Sequence, residues 1–508
     1  MIWIQKTVVT AFLLFYFFSL NAQTPVWVSS YGTNTPYDGN SFITGFGMAQ
    51  ITPDTPVDQA LAMAESYART DLIQKVQVQV SSLTSSFEDE TNGNYNSQFT
   101  NETESASSLN LFGLSTENQV ENSMVYVLSN VKKDVLQEQY RERMNGLLDQ
   151  FLQTANQAKS SLDAGNKDLA LEQLMEAKPV YSDLFSTWTV VQSLGGGVNW
   201  RPENVRDEIN FINQQVSALI NRPVTTLDDA AWWLANTLGK ESNQPHTVNL
   251  SAITYKNTGI SSEFANYLRQ LLTRQIGNRT NWSIVETDAR LKQDPTHLMT
   301  GTFWDNGEDV QVILNTREIE SGKIVTTTEV TIPGEVIEQS GYDILPENYE
   351  TALADLKAMK ENKGDNRGLQ LEVWTAKGQD QLVYEEGELL EVSLQVNLPS
   401  YIRILYHLND GTRVLLVDSH FINDRDINKP YTLPYQFECV APFGVEMMQV
   451  IAQSEPFERV ETKTIDGIPY LTEDLEKFIA NTRGFKIKKQ EAQQTEEVLT
   501  ITTIKKTE

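Results

Sequence analysis

The side chains with the most chemical reach in this chain are four histidines, one cysteine and several acidic clusters. His246, His297, His407 and His420 are scattered. No two have the i, i+2 or i+4 spacing, with a carboxylate, that sets a pair of imidazoles on one metal. Cys439 stands alone in Q-F-E-C-V, so it forms no internal disulfide, and an alternating strand around it predicts a buried, inert thiol. D-S-H-F (Asp418, Ser419, His420, Phe421) holds the residue types of a hydrolytic triad. Triads, however, are assembled from distant segments on a strained turn, and no G-x-S-x-G elbow is present. Asn423, Asp424 and Asp426 in F-I-N-D-R-D-I-N offer oxygen ligands in the manner of a calcium loop, without its loop glycine or closing glutamate. Acidic pairs such as Glu385-Glu386 are too common in this chain to name a general acid and base. No catalytic, cofactor or metal site is therefore predicted, and the chain reads as a non-enzyme. What survives is aromatic. Trp232, Trp233 and Trp304 read as core, and Trp374 and Tyr401, near predicted strand ends, are the candidates for an exposed ligand surface.

The bulk numbers bound the rest. With 508 residues the chain has room for several domains, and 40% hydrophobic residues supply each with a core. A net charge of -28 repels phosphate backbones and anionic lipid, which excludes nucleic acid as a partner. Residues 1–22 combine Lys6, an apolar run from Val8 to Leu20 and the small residue Ala22. That is the pattern of a signal peptide cut near Ala22, with a run too short for a span of about 20 residues. The expected address is the periplasm or the outer membrane's periphery.

Behind the export segment, residues 23–131 read as a small α+β domain. V-W-V-S-S-Y is a predicted strand, F-I-T-G-F-G-M-A carries two glycines, and Val57, Ala60, Leu61, Ala64, Ala68 and Leu72 make one helical face. Val76, Val78 and Val80 alternate as a half-exposed strand would, and Glu88 to Ser108 reads as a polar loop. G-F-G-M-A followed by A-L-A-M-A-E-S-Y-A-R-T-D-L and V-x-V-x-V resembles the small outer-membrane lipoprotein domain, which also occurs in flagellum-associated envelope proteins.

Residues 132–222 are helical, with a turn at Asp163–Lys167. The spacing A-x-S-x-L-x-A-G-N-x-x-x-A-L-x-x-L-x-x-A resembles a single tetratricopeptide-like hairpin, which reads as a spacer. Residues 223–335 read as a second α+β domain in the order β-α-β, then three antiparallel strands. With G-T-F-W and R-E-I-E-S-G-K-I-V, it resembles the α/β domain shared by the curli-secretion pore, the TolB N-terminal domain and flagellar-ring assembly proteins.

Residues 336–368 are a linker with a helix over Tyr349–Met359. Residues 369–483 form a predicted C-terminal β-sandwich, and 484–508 a charged tail that ends in V-L-T-I-T-T-I, a last strand or a disordered end. Leu390, Val392, Leu394 and Val396 alternate with polar residues, which means a sheet with one buried face. V-Y-E-E-G-E-L-L-E-V, P-S-Y-I-R-I-L-Y-H-L-N-D-G and A-P-F-G-V-E resemble an uncharacterised bacterial domain appended to envelope or signalling proteins. The fold class expected is multidomain α+β, two small α+β domains joined by a helical hairpin and followed by a β-sandwich. The function expected is an envelope scaffold or secretion accessory with protein partners. A glycan-binding protein and a secreted hydrolase are the alternatives.

Overall fold

The structure is a computed structural model that describes residues 24–90, 113–197, 202–220, 222–256, 258–285, 295–361, 368–465, 468–472 and 493–506. The export segment, most of the polar stretch Glu88–Ser108 and all but the start of the helix expected over Leu471–Ala480 lie outside these residues. The chain is a multidomain α+β protein, as its patterns predict.

The N-terminal unit contains α1 (Val26–Ser29), β1 (Phe42–Gln50), α2 (Val57–Glu90), β2 (Ser115–Glu121) and β3 (Met124–Lys132), with sheet order β1-β3-β2. The glycines of G-F-G explain its architecture. A Cβ on Gly45 would lie 2.0 Å from the Ala68 carbonyl oxygen, and one on Gly47 would lie 2.1 Å from that of Ala64. The helix therefore rests directly on the strand, and its contact face is alanine. Two expectations fail here. V-W-V-S is a helical turn, not a strand. It follows Pro25, and a turn lets Trp27 and Val28 bury together against Phe46 and Met48. V-Q-V-Q-V is helix, not strand. Val76 continues the buried row Ala60, Ala64, Ala68, Leu72 at four-residue steps while Val78 is 65% exposed. Packing on the sheet outweighs the β preference of valine.

Three helices follow: α3 (Lys133–Asp163), α4 (Lys167–Ser193) and α5 (Arg206–Ile220). Gly165, at φ +78°, makes the α3–α4 turn, and Asn166 caps α4 by accepting the Leu169 N–H. The hairpin joins the two α+β units by packing on both. Leu136, Tyr140, Val190 and Val191 meet Ile43 and Leu72 of the N-terminal unit. Tyr181, Leu184, Phe185 and Trp188 enter the middle core.

The middle unit holds α6 (Leu227–Asn236), β4 (Thr247–Tyr255), α7 (Glu263–Arg279), β5 (Ser283–Ile284), β6 (His297–Asp305), β7 (Asp309–Glu318), β8 (Ile324–Pro333) and α8 (Gly334–Ser340). Thr226 and Asp229 form a reciprocal capping box on α6, and Ser262 caps α7. The sheet order is β5-β4-β6-β7-β8, parallel about β4 and antiparallel from β6 onward. α4 lies against β8, where Lys178 pairs with Glu329 at 2.8 Å, Lys178 being only 5% exposed.

After α9 (Tyr349–Glu361) comes the sandwich: β9 (Leu371–Thr375), β10 (Leu382–Glu385), β11 (Leu389–Val396), β12 (Ser400–His407), β13 (Arg413–Ile422), β14 (Tyr431–Glu438), β15 (Gly444–Gln453), β16 (Thr462–Ile465), β17 (Ile468–Leu471) and β18 (Gln494–Ile504). A seven-stranded sheet, β10-β18-β15-β12-β13-β17-β16, packs on a three-stranded one, β14-β11-β9. Leu390, Val392, Leu394 and Val396 of the small sheet meet Ile402, Ile404, Met448 and Val450 of the large one. Of the two expectations for V-L-T-I-T-T-I, a last strand or a disordered end, the strand is the one that forms. Residues 494–504 form β18, paired with β15 over ten positions and with β10 on its other side. Its apolar half, Val498 to Ile504, has a core place that the charged residues before it conceal.

The sandwich also closes a circuit of contacts. The Ser261 N–H donates to Thr502 Oγ1 at 3.0 Å, and Asn348 pairs through both amide atoms with the Val445 backbone, which ties sandwich to middle unit. On the other side three side-chain amides meet the free edge of β1. Gln370 donates to the Phe46 carbonyl at 3.0 Å, Asn397 to Met48 at 2.9 Å and Asn428 to Gln50 at 3.0 Å. Alternate residues of an edge strand turn their carbonyls outward, and these three are met by amides in place of a neighbouring strand. Leu398 adds apolar contact with the Trp27–Phe46 cluster.

Candidate functional site

The two aromatic candidates sit on different sheets. In β9, Leu371, Val373 and Thr375 face the core, so half-buried Trp374 faces outward from the small sheet. In β12, Ile402 and Ile404 face the core, so Tyr401 lies on the outer face of the large sheet. Period-two geometry thus places them on opposite outer faces of the sandwich, and they form no common platform. Tyr401 instead stacks with its cross-strand partner Phe421, ring centroids 4.7 Å apart.

The polar candidates are engaged within the fold. The Asp418 carboxylate accepts from Arg403 Nε and Nη2 at 2.8 and 2.6 Å. His420 turns toward Tyr431 and Tyr435, so D-S-H-F forms no triad geometry. Asp426 accepts from Asn423 Nδ2 and pairs with Lys429. Cys439 is buried, and burial pushes its thiol up to about 12. His407 is buried on Gln449, and burial lowers its pKa to about 4. His246 and His297, distant in sequence, do meet, with ring centroids 4.1 Å apart and Glu241 Oε2 3.2 Å from His246 Nε2. The adjacency arises because β6 pairs with β4. Among the described residues no group of three or more His, Cys, Asp or Glu side chains is arranged to hold a metal ion.

The feature the sequence concealed lies between β13 and β14. From Val417 to His420, β13 uses one residue more than its partner Ile404–Ile402, a bulge at Asp418–Ser419 with Ser419 at φ +56°. From Thr432 to Gln436, β14 uses four steps against two on β11. The two irregularities converge on one imidazole. His420 Nε2 lies 3.1 Å from the Tyr431 hydroxyl and Nδ1 lies 3.4 Å from that of Tyr435. Bulges re-aim side chains in this way. The rings are present in the sequence, but nothing in their spacing reveals the two irregularities that gather them.

One further group is out of place for its chemistry. Glu446, on the core side of β15, is 4% exposed and accepts the Tyr406 hydroxyl at 2.7 Å. Burial is the largest influence on its carboxyl and raises it to about 7, although hydrogen bonds from Tyr406 and Thr503 act in the other direction.

Fold and surface together define a multidomain α+β protein whose last unit is a β-sandwich. No protein-family model matches the chain, and no curated protein matches it significantly. Among solved structures, the LpoB C-terminal domain from Salmonella enterica is similar at 10% identity and TM-score 0.18, over 21% of this chain and 98% of that one. The LpoB C-terminal domain from Escherichia coli is similar at 7% identity and TM-score 0.18, over 21% and 97%. The secreted protein HP1454 from Helicobacter pylori is similar at 11% identity and TM-score 0.20, over 56% and 85%. Likenesses at these scores carry no argument about fold or function.

Proposed function

We propose that this chain is an exported, non-enzymatic protein of the bacterial cell envelope that serves as a scaffold for other envelope proteins. The observation that carries the reading is the closed circuit of contacts. The N-terminal unit packs on the helical hairpin, the hairpin on the middle unit, the middle unit on the sandwich, and the sandwich on β1 again. Such a circuit holds surfaces from four units in fixed relation, which suits assembly of partners. The candidate reactive side chains are meanwhile engaged internally, Asp418 by Arg403 and His407 by Gln449.

The export-type segment 1–22 and the envelope-protein motif resemblances support the setting. Among the described residues no helix is long and apolar enough to cross a membrane, and association with the outer membrane is proposed as peripheral. Crosslinking in intact cells followed by affinity capture tests the reading. Discrete crosslinked species with envelope proteins are expected. Recovery of the chain only as an uncrosslinked monomer overturns the scaffold role, and turnover in an esterase and protease screen overturns the non-enzymatic one.

A further inference from the structure

We propose that the open side of the sandwich between β13 and β14 binds an uncharged oligosaccharide, with Tyr435 and the Tyr401–Phe421 pair as stacking surfaces. The place is set by topology. β13 and β14 belong to different sheets, and among the described residues β17 meets β13 only at Val414↔Tyr470. The Val417–Ile422 half of β13 therefore has no described strand on that side. Its consecutive residues His420 and Phe421 send rings to the two faces of the strand.

The rings there are held and accessible at once. Phe421 is 48% exposed and Tyr435 38% exposed. His420 packs against Tyr431 at 5.7 Å and Tyr435 at 5.8 Å between centroids. Stiff, amphipathic rings offer contact area at low entropic cost, and the axial C–H faces of a pyranose complement them. A ligand that crosses the edge of β13 touches Tyr435 on one side and Phe421 on the other.

The polar groups suit hydroxyls. Burial lowers the proton affinity of His420, so at neutral pH its ring has one donor and one acceptor nitrogen. One tyrosine hydroxyl then accepts from the ring, and its own O–H is left to donate outward. The other donates to the ring and keeps lone pairs to accept. The Ser393–Thr432 hydroxyl pair, 2.8 Å apart, bridges β11 and the edge strand β14. This is a neutral donor–acceptor set. A proline-rich peptide, the other occupant that aromatic surfaces attract, would use only its donors. The nearby Asp418 and Asp424 and the net charge of -28 disfavour an anionic polymer.

The test uses the full exported chain with cellotetraose and chitotetraose as probes, and with heparin and a decaproline peptide as contrasts. Calorimetry and saturation-transfer NMR should show one of the two neutral oligosaccharides bound, with transfer from tyrosine and phenylalanine ring protons to the sugar. Tyr435→Ala and Phe421→Ala should each weaken binding about tenfold with an unchanged melting temperature, and Tyr435→Phe should weaken it less. The proposal is overturned if neither oligosaccharide binds, if binding survives the Tyr435→Ala/Phe421→Ala double substitution, or if only heparin or decaproline binds. An alanine variant whose melting temperature drops is replaced in the comparison by leucine at the same position, which keeps apolar volume without the ring, and binding unchanged in Tyr435→Leu/Phe421→Leu likewise overturns the proposal.

Discussion

Asn397 donates from Nδ2 to the carbonyl oxygen of Met48 at 2.9 Å, across 349 positions of sequence. The asparagine is fully buried, and both ends of its amide are used. Nδ2 also meets the Gly368 carbonyl at 2.9 Å, and Oδ1 accepts the Gln370 N–H at 2.8 Å. One side chain thus fixes the start of the sandwich to the free edge of the N-terminal sheet.

Asn397→Leu removes the donors from two carbonyls and the acceptor from one N–H in a site without solvent. Each unsatisfied buried group costs about 1–3 kcal/mol, so a loss of about 3 kcal/mol is expected in urea denaturation. Asn397→Asp should fare no better at neutral pH, since it turns an acceptor toward two carbonyls. Gln370→Ala, at a half-buried position, should cost about 1 kcal/mol. Equal, small effects from all three would show that the sandwich and the N-terminal unit are not joined through this amide.

Gly45→Ala and Gly47→Ala each drive a methyl into a backbone carbonyl of α2. A backbone atom has no rotamer by which to yield, so the helix must lift from the strand. Each substitution should cost about 3 kcal/mol or more, at the upper end for overpacked sites. Thermal melts followed by circular dichroism check this. A loss below about 1 kcal/mol would mean that α2 rides higher over β1 than the contact distances imply.

The two misread or hidden features nearby show what sequence patterns carry. Leu390, Val392, Leu394 and Val396 were legible because one face of β11 is buried along its whole length. The alanine row of α2 was legible with its glycines because close approach demands both. Val76, Val78 and Val80 were not, because a three-residue alternation also fits a helix, one that buries Val76 and leaves Val78 exposed. The separation of Trp374 from Tyr401 depends on which sheet each strand joins, a property of pairing and not of either segment. The His420 cluster and the His246–His297 contact likewise depend on bulges and strand order, which leave no local mark.

Lys178 and Glu329 join α4 to β8 in a nearly closed environment. Lys178→Met alone strands the glutamate and should cost about 3 kcal/mol, at the lower end for a broken buried pair because Glu329 retains 15% side-chain exposure. The double change Lys178→Met/Glu329→Leu should recover most of that loss. A double-mutant cycle by chemical denaturation reads the coupling. Additive losses would show that the two charges do not depend on each other.

Glu446 makes stability depend on pH. Its carboxyl titrates near 7 in the folded chain against 4.5 ordinarily. Unfolding therefore releases a proton between those values. The stability linked to the retained proton is present in full below pH 4.5 and is lost by about pH 7, a change of about 3 kcal/mol. Glu446→Gln keeps an acceptor for the Tyr406 hydroxyl and removes the titration. The wild-type chain should lose more stability than this variant between pH 5 and pH 8. An identical pH profile for the two would place the titration elsewhere.

β18 stands between β10 and β15 in the large sheet, although it is the last of the described strands to leave the ribosome. The sheet has a gap at that position until residues 494–504 arrive. Because β10 pairs with β18 in parallel, no local hairpin can fill the gap earlier. In vectorial synthesis, the earlier strands wait with an open slot while the N-terminal unit and the helical hairpin already have their partners. Residues 494–504 thus act as a bolt, and the large sheet closes only when that strand slides in between β10 and β15.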